Sequence, residues 1–213
     1  LRRQRQMCIR DRLGVALYIW NTFPASNATP PDLTLGVWWP EPEGTKYWFH
    51  PAEGAGLTFA GSRLYTTSNN VIIGFDSLPA TEDAQPDFAV GGPDPYTNTL
   101  ETNYIIQNPV PASDGTSLLV SSDSQKLYVW KKLPDESGAK PDIVYSLPFA
   151  PWDSALFGNK LVLAGKDSVY IWNQLPLNGE FPDECFKGSI GNVTFQDLKG
   201  VELDDKYFYV SDR

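Results

Sequence analysis

An all-β fold assembled from a repeated four-strand unit is what this sequence predicts, and three observations predict it. Four apolar clusters, LYIW at 17–20, VIIGF at 71–75, LYVW at 127–130 and VYIW at 169–172, each close on a large aromatic residue. Each aromatic is followed at fixed spacing by the same two proline pairs. The chain of 213 residues also carries 18 Pro and 17 Gly at short intervals, which suits many short strands and turns better than long helices.

The repeat is read by setting Trp20, Phe75, Trp130 and Trp172 equivalent. Three residues on stand Phe23, Leu78, Leu133 and Leu175, each followed directly by Pro (24, 79, 134 and 176). Ten or eleven residues past the aromatic, every copy has Pro-Asp, ending on Asp32, Asp87, Asp142 and Asp183. Proline cannot donate to a strand ladder, so the first pair ends a strand. In the second pair proline fixes φ and aspartate accepts from local amides, which restarts the chain in a new strand.

The half that precedes each aromatic repeats as well. RLYTTSNN at 63–70, SLLVSSDS at 117–124, KLVLAGKD at 160–167 and KYFYVSDR at 206–213 are apolar runs ending in small and polar residues. The aromatic follows only eleven or twelve residues after the first leucine in the copies that begin at Leu64, Leu118 and Leu161, so the two runs form a hairpin. A further short run, 56–61, 110–115, 154–158 or 200–205, stands ahead of each hairpin. Four antiparallel strands at a period of roughly 50 residues make one propeller blade. The expectation is therefore a partial β-propeller with about four to five blades visible, ending inside a copy. The recurring aromatic is the plug expected between neighbouring sheets.

The first twelve residues stand apart. LRRQRQMCIRDR holds five of the seventeen basic residues and the only Met. It resembles translated sequencing-adapter read-through, and the reading is a foreign leader at 1–12 ahead of an incomplete propeller domain at 13–213. Such a leader is expected to make no ladder with the blades. No Met stands in 13–213, which places the expected native start upstream. Removing the leader changes the net charge from −9 to −13, since five basic residues and Asp11 go with it. A chain this acidic is a poor match for nucleic acid, and no apolar run reaches the length of a membrane-spanning helix. Cys185, left alone, permits no intrachain disulfide or Cys-rich metal site and is expected as a small core residue.

Gly200-Val201, Asp204 and Tyr209-Val210-Ser211-Asp212, together with Val169-Tyr170-Ile171-Trp172-Asn173, resemble bacterial NHL-type repeats of the six-bladed, TolB-like propeller group. The resemblance implies six blades in the full protein, a monomer in its full-length form, and an extracytoplasmic or secreted setting. The chain departs from that pattern in lacking the usual Asn-Asn-Arg turn in most copies.

Function concentrates on loops held by a rigid scaffold. Gly36 to Leu64 spans 28 residues and Gly91 to Leu118 spans 27, against 15 for Ser146 to Leu161 and 19 for Gly188 to Tyr207. The longer connections run from the outermost strand of one blade to the innermost of the next, on the face with the channel mouth. The first of them, VWWPEPEGTKYWFH, supplies Trp38, Trp39, Tyr47, Trp48 and His50 as candidate binding residues, with Glu41 and Glu43 beside them. Such a set suits stacking on a sugar or a peptide, although the same aromatics serve equally to pack the long loop onto its blade. A single His rules out a three-His metal site within these residues, and no catalytic residue is assigned.

Asp114, Asp123, Asp153, Asp204, Asp205 and Asp212 fall at strand ends or turns, where local capping is the ordinary role. The resembling lactonase-type propellers hold a divalent cation with oxygen ligands, so Ca²⁺ is conceivable and no cofactor is the primary expectation. The leading reading is a non-catalytic binding or scaffolding propeller, with a protein or carbohydrate ligand. The alternative is a metal-dependent hydrolase or lactonase of the same group, which would bring several acidic side chains together at the axis.

Overall fold

The structure, a computed structural model, describes residues 7–10, 16–36, 56–68, 70–97 and 108–212. It is all-β among these residues, with no helix long and apolar enough to cross a membrane. Three complete four-stranded antiparallel blades follow one another. Blade 1 is partial and holds β1 (Met7–Arg10), β2 (Ala16–Trp20) and β3 (Leu33–Gly36). Blade 2 holds β4 (Leu57–Ala60), β5 (Arg63–Ser68), β6 (Val71–Phe75) and β7 (Phe88–Val90). Blade 3 holds β8 (Val110–Ser113), β9 (Leu118–Ser122), β10 (Lys126–Trp130) and β11 (Ile143–Ser146). Blade 4 holds β12 (Pro151–Phe157), β13 (Lys160–Gly165), β14 (Ser168–Trp172) and β15 (Glu184–Lys187). A small hairpin, β16 (Ser189–Ile190) with β17 (Val193–Thr194), leads to the two-stranded blade 5, β18 (Leu198–Leu203) with β19 (Phe208–Asp212).

The first strands β4, β8, β12 and β18 are successive neighbours, which sets them on the inside of the stack. Apolar residues alternate onto both faces of each sheet, so that neighbouring blades share a core. Between blades 1 and 2 lie Leu17, Ile19, Leu35, Leu64, Ile73 and Phe75. Blades 2 and 3 share Tyr65, Ile72, Phe88, Val120 and Trp130. Leu119, Leu127, Val129, Leu163 and Trp172 join blades 3 and 4. Val162, Val169, Ile171, Val201 and Leu203 join blades 4 and 5.

The aromatic plug of each blade thus faces the blade before it. Phe75, Trp130 and Trp172 are each 3% exposed, as the repeat predicts. The indole N–H of Trp20, Trp130 and Trp172 donates to the carbonyl of Thr29 (3.2 Å), Ala139 (3.1 Å) and Glu180 (2.9 Å), which ties the plug to the loop that follows. The Pro-Asp aspartates do one job four times. The side chains of Asp32, Asp87, Asp142 and Asp183 accept from the backbone N–H of Asn21, Asp76, Lys131 and Asn173 at 2.7–2.8 Å. Their own N–H groups donate back to the third strand at 2.8–2.9 Å. Two bonds per loop close it into a fixed frame.

Two expectations fail. Residues 7–10 do form a ladder: β1 pairs antiparallel with β2, from Met7 opposite Trp20 to Arg10 opposite Leu17. The edge of β2 presents unpaired N–H and C=O groups, and an extended segment within reach satisfies them whatever its origin. Cys185 is exposed rather than buried. It lies on the outermost strand β15, where Glu184 on one face and Lys187 on the other are also exposed.

Candidate functional site

Strand direction assigns each loop to one end of the stack. First strands begin, second strands end, third strands begin and fourth strands end on the same side, so the connections between blades and the turns between second and third strands share one face. The segment 37–50 falls in sequence between β3 and β4. Its residues Trp38, Trp39, Tyr47, Trp48 and His50, with Glu41 and Glu43, lie outside the described residues, and so does the connection 98–107.

The described part of the face is walled by blades 3, 4 and 5. Asn108 leads into β8 in a left-handed conformation (φ 43°). Its side-chain amide donates to Asp123 Oδ2 in the turn between β9 and β10. Asp123 Oδ1 and the hydroxyl of Ser121, one strand-face repeat earlier, are buried with no hydrogen-bond partner among the described residues. Ser121 is 1% exposed. Buried polar atoms are nearly always bonded, so each of these atoms calls for a partner of its own.

Around this pair the blades are latched by polar side chains. The hydroxyl of Thr67 donates to the carbonyl of Pro109 (2.6 Å), joining blade 2 to blade 3. The hydroxyl of Ser154 donates to Val110 O (3.3 Å), joining blade 4 to blade 3. Asp153 Oδ2 accepts from Val201 N (2.9 Å), joining blade 4 to blade 5. That approach needs Gly200, because a Cβ there would stand 2.9 Å from the Ser211 hydroxyl and 3.3 Å from Asp153 Oδ2. Beside it Lys199 lies 4.4 Å above the ring of half-buried Trp152 and pairs with Asp197 at 3.0 Å.

The aspartates singled out from the sequence divide between the two ends. Asp123, Asp153 and Asp212 are at the connection face. Asp212 accepts from Gln196 N (2.9 Å) and Asp197 N (2.6 Å), which pins the entry to β18. Asp114, Asp204 and Asp205 lie at the opposite end, in turns between first and second strands. Asp114 accepts from the N–H groups of Thr116 (2.8 Å) and Ser117 (2.6 Å). Asp204 takes the Tyr209 hydroxyl at 2.6 Å and the N–H groups of Lys206 and Tyr207 at 2.7 Å. The Tyr209 hydroxyl holds the Asp204 carboxyl below its ordinary range, with the two amides adding to it, and the same bond raises Tyr209. Among the described residues no group of three or more His, Cys, Asp or Glu is placed to hold a metal ion.

Sequence reasoning passed over Asn108, Ser121, Trp152 and Lys199. One signal for them existed. Ser121 stands where blade 2 has Thr67 and blade 4 has Ala164, and Trp152-Asp153 interrupts the alternation of β12 at a register shift between Pro151 and Asp153. The break in the repeat, rather than any motif, marks the place.

No family model matches the chain, and no curated protein sequence matches it. Solved structures do. The glutaminyl cyclase of Myxococcus xanthus aligns with a TM-score of 0.52 at 14% identity, over 76% of this chain and 63% of the cyclase chain. The computationally designed Ika8 protein aligns with a TM-score of 0.50 at 12% identity, over 92% of this chain and 49% of its own. At these identities the likeness is one of fold, a propeller-like stack of four-stranded antiparallel sheets. The chain spans less than two thirds of the length of either neighbour. What the fold and the face together define is a propeller-like protein with a polar, incompletely bonded patch on its connection face.

Proposed function

We propose that this chain is a non-catalytic binding propeller that holds a polar ligand on the face carrying the inter-blade connections. The observation that carries the reading is Asp123 in the turn between β9 and β10, one carboxylate oxygen held by Asn108 and the other without a partner among the described residues. A carboxylate oxygen without a partner suits a ligand rich in hydroxyl or amide groups, and the aromatic residues Trp38, Trp39, Tyr47 and Trp48 with His50 suit stacking on its flat faces. A carbohydrate or a peptide segment has both properties. The hydrolase or lactonase alternative gains nothing from Asp114, Asp204 and Asp212, each of which caps backbone amides of its own turn or strand entry. The finer assignment to NHL-type repeats of the TolB-like group rests on the blade motif alone.

Titration of tryptophan fluorescence with panels of oligosaccharides and of peptides tests the reading. For a hit, Asp123→Asn and the pair Trp38→Ala with Trp39→Ala should each weaken binding about tenfold or more, the loss of one good contact. Chelator should leave the affinity unchanged. No saturable binding in either panel, or affinity that ignores both variants, overturns the proposal.

A further inference from the structure

The loop after the aromatic plug runs eleven residues from Trp20 to Pro31, from Phe75 to Pro86 and from Trp130 to Pro141, but ten from Trp172 to Pro182. Blade 4, one residue shorter here, meets the blade before it differently. Between blades 2 and 3 the loop lies down on the outermost strand. Gly138 N donates to Ala89 O at 3.1 Å, and Ala89 N donates to Ser137 Oγ at 3.0 Å. Between blades 3 and 4 the corresponding glycine, Gly179, donates instead to the Tyr145 hydroxyl. A Cβ on Gly179 would stand 3.2 Å from Tyr145 Cε1, so the loop rests on that ring rather than on the backbone of β11. The space left at the outer margin of these two complete blades is a cavity of about 150 Å³.

Tyr145, Phe149, Trp172 and Phe181 line this cavity with rings. Phe149 is stacked on Tyr170, with centroids 3.7 Å apart and planes 3° from parallel, which fixes that wall. Phe181 is 90% exposed at the rim, and Pro182 after it favours an extended backbone there. Glu180 is the one charged residue of the lining. Its carboxylate accepts from the Asn178 N–H at 2.9 Å and from the Asn178 side-chain amide at 3.1 Å, and the backbone bond is the first cause that holds the carboxyl below its ordinary range. Burial pushes the Tyr145 hydroxyl up and the charge of Glu180 adds to it, which sets the carboxylate beside the ring. Lys126 is turned away. It pairs with Ser146 on the sheet face opposite Leu127 and Tyr145, and its Nζ donates to Ser146 Oγ at 2.9 Å. No ion pair involves Glu180 among the described residues.

These walls select among ligands. Glu180 repels an anion, and a small hydrated ion would lose its water to apolar rings. A guanidinium brings a fork of N–H donors, and Glu180, already bonded to Asn178, cannot take them all. A cation clad in methyl groups needs no hydrogen bonds, packs against apolar walls and is attracted to ring faces and to a carboxylate together. We propose that the cavity between blades 3 and 4 binds a trimethylammonium group, with Tyr145, Phe149, Trp172 and Phe181 around it and Glu180 as its counter-ion. Asp123 and the segment 37–50 take no part in this site, so it stands or falls apart from the binding proposed for the connection face.

NMR titration of the full chain with choline tests this. The backbone amides of Gly179, Glu180 and Phe181 should shift together and saturate. The uncharged isostere of choline, with carbon in place of the quaternary nitrogen, should bind about tenfold more weakly or worse. Glu180→Gln keeps an acceptor for the Asn178 N–H, and Phe181→Ala changes an exposed position, so both variants should fold as the parent does. Each should weaken choline by about threefold or more. Glycerophosphocholine and a peptide carrying trimethyl-lysine then distinguish a headgroup from a protein tail as the source, the tighter binder being the one the site serves. Equal affinity for choline and its neutral isostere overturns the proposal. So does choline binding that both variants leave unchanged, or the absence of saturation at the three amides.

Discussion

Truncating Trp172 to Ala removes the plug between blades 3 and 4, and the structure sets the size of the effect. The side chain is 3% exposed, so essentially its whole surface is withdrawn from water. For an indole that is about 200 Å², worth about 5 kcal/mol at ~25 cal/mol/Å². The N–H bond to Glu180 O at 2.9 Å adds about 1 kcal/mol, of which water at this exposed loop recovers part. Partial collapse of the hole returns some of the loss, and ~3–5 kcal/mol is the expected net cost. Trp130, equally buried and bonded to Ala139 O, should lose the same. Trp20 is the internal control. Its residue position in the repeat is identical and its bond to Thr29 O is present at 3.2 Å, but it is only half-buried, so Trp20→Ala should cost roughly half as much. Urea unfolding followed by far-ultraviolet circular dichroism measures all three. Equal losses at Trp20 and Trp172, or a loss below ~1 kcal/mol at Trp172, would refute the claim that area buried between blades sets the contribution of the plug.

Further expectations follow from single contacts. Ala in place of Asp142 or Asp183 removes the acceptor for Lys131 N or Asn173 N and should cost ~1 kcal/mol at each site, read from shifts in the urea midpoint; sharply unequal values would break the equivalence of the four loops. Gly74→Ala should destabilise by ~3 kcal/mol or prevent folding, because the added Cβ would stand 2.2 Å from the buried ring of Phe88; a melting temperature like that of the parent would contradict the packing. Asp204 has a lowered folded pKa, so its contribution is present above the unfolded value and is lost as pH falls through the lower folded one. Tyr209→Phe removes the largest cause of that shift, and carboxylate NMR should then show Asp204 titrating nearer its ordinary range; an unchanged titration would show that the amides alone set it.

The blades were legible in the sequence because their chemistry recurs. Leu-Pro and Pro-Asp are backbone devices whose effect depends on φ and on a missing donor, not on distant partners, so four copies announce four loops. The alternation of β5, β9 and β13 likewise reports faces buried on both sides. Two elements were not legible for the opposite reason. β1 pairs because β2 has an open edge, a property of the assembled sheet that MCIR does not encode. The β16–β17 hairpin comprises two-residue strands, Ser189–Ile190 and Val193–Thr194, too short for any period to show. Cys185 was misplaced since burial on an outermost strand depends on which neighbour covers it, and nothing local states that.

The connection face was half legible, and the difference lies in what a repeat conceals. Residues that recur, such as Asp32, Asp87, Asp142 and Asp183, are bonded identically, each closing its own loop, which marks them as structural. Differences in chemistry arise where a blade departs from its neighbours. Thr67 spends its hydroxyl on the carbonyl of Pro109, the backbone of the next blade. Ser121, its counterpart in blade 3, makes no such bond among the described residues, and the next blade begins with the register shift in β12. The register shift between Pro151 and Asp153 serves another purpose, since it aims Asp153 at Val201 N and so latches blade 4 to blade 5. One displacement thus closes the next interface, while the previous one is held by the Ser154 hydroxyl on Val110 O. A change that restores regular pairing at Asp153 should cost its bond to Val201 N and loosen blade 5, read as faster amide exchange in β18 and β19 with blades 2 and 3 unchanged; equal protection of β18 and β19 in parent and variant would refute that role of the shift.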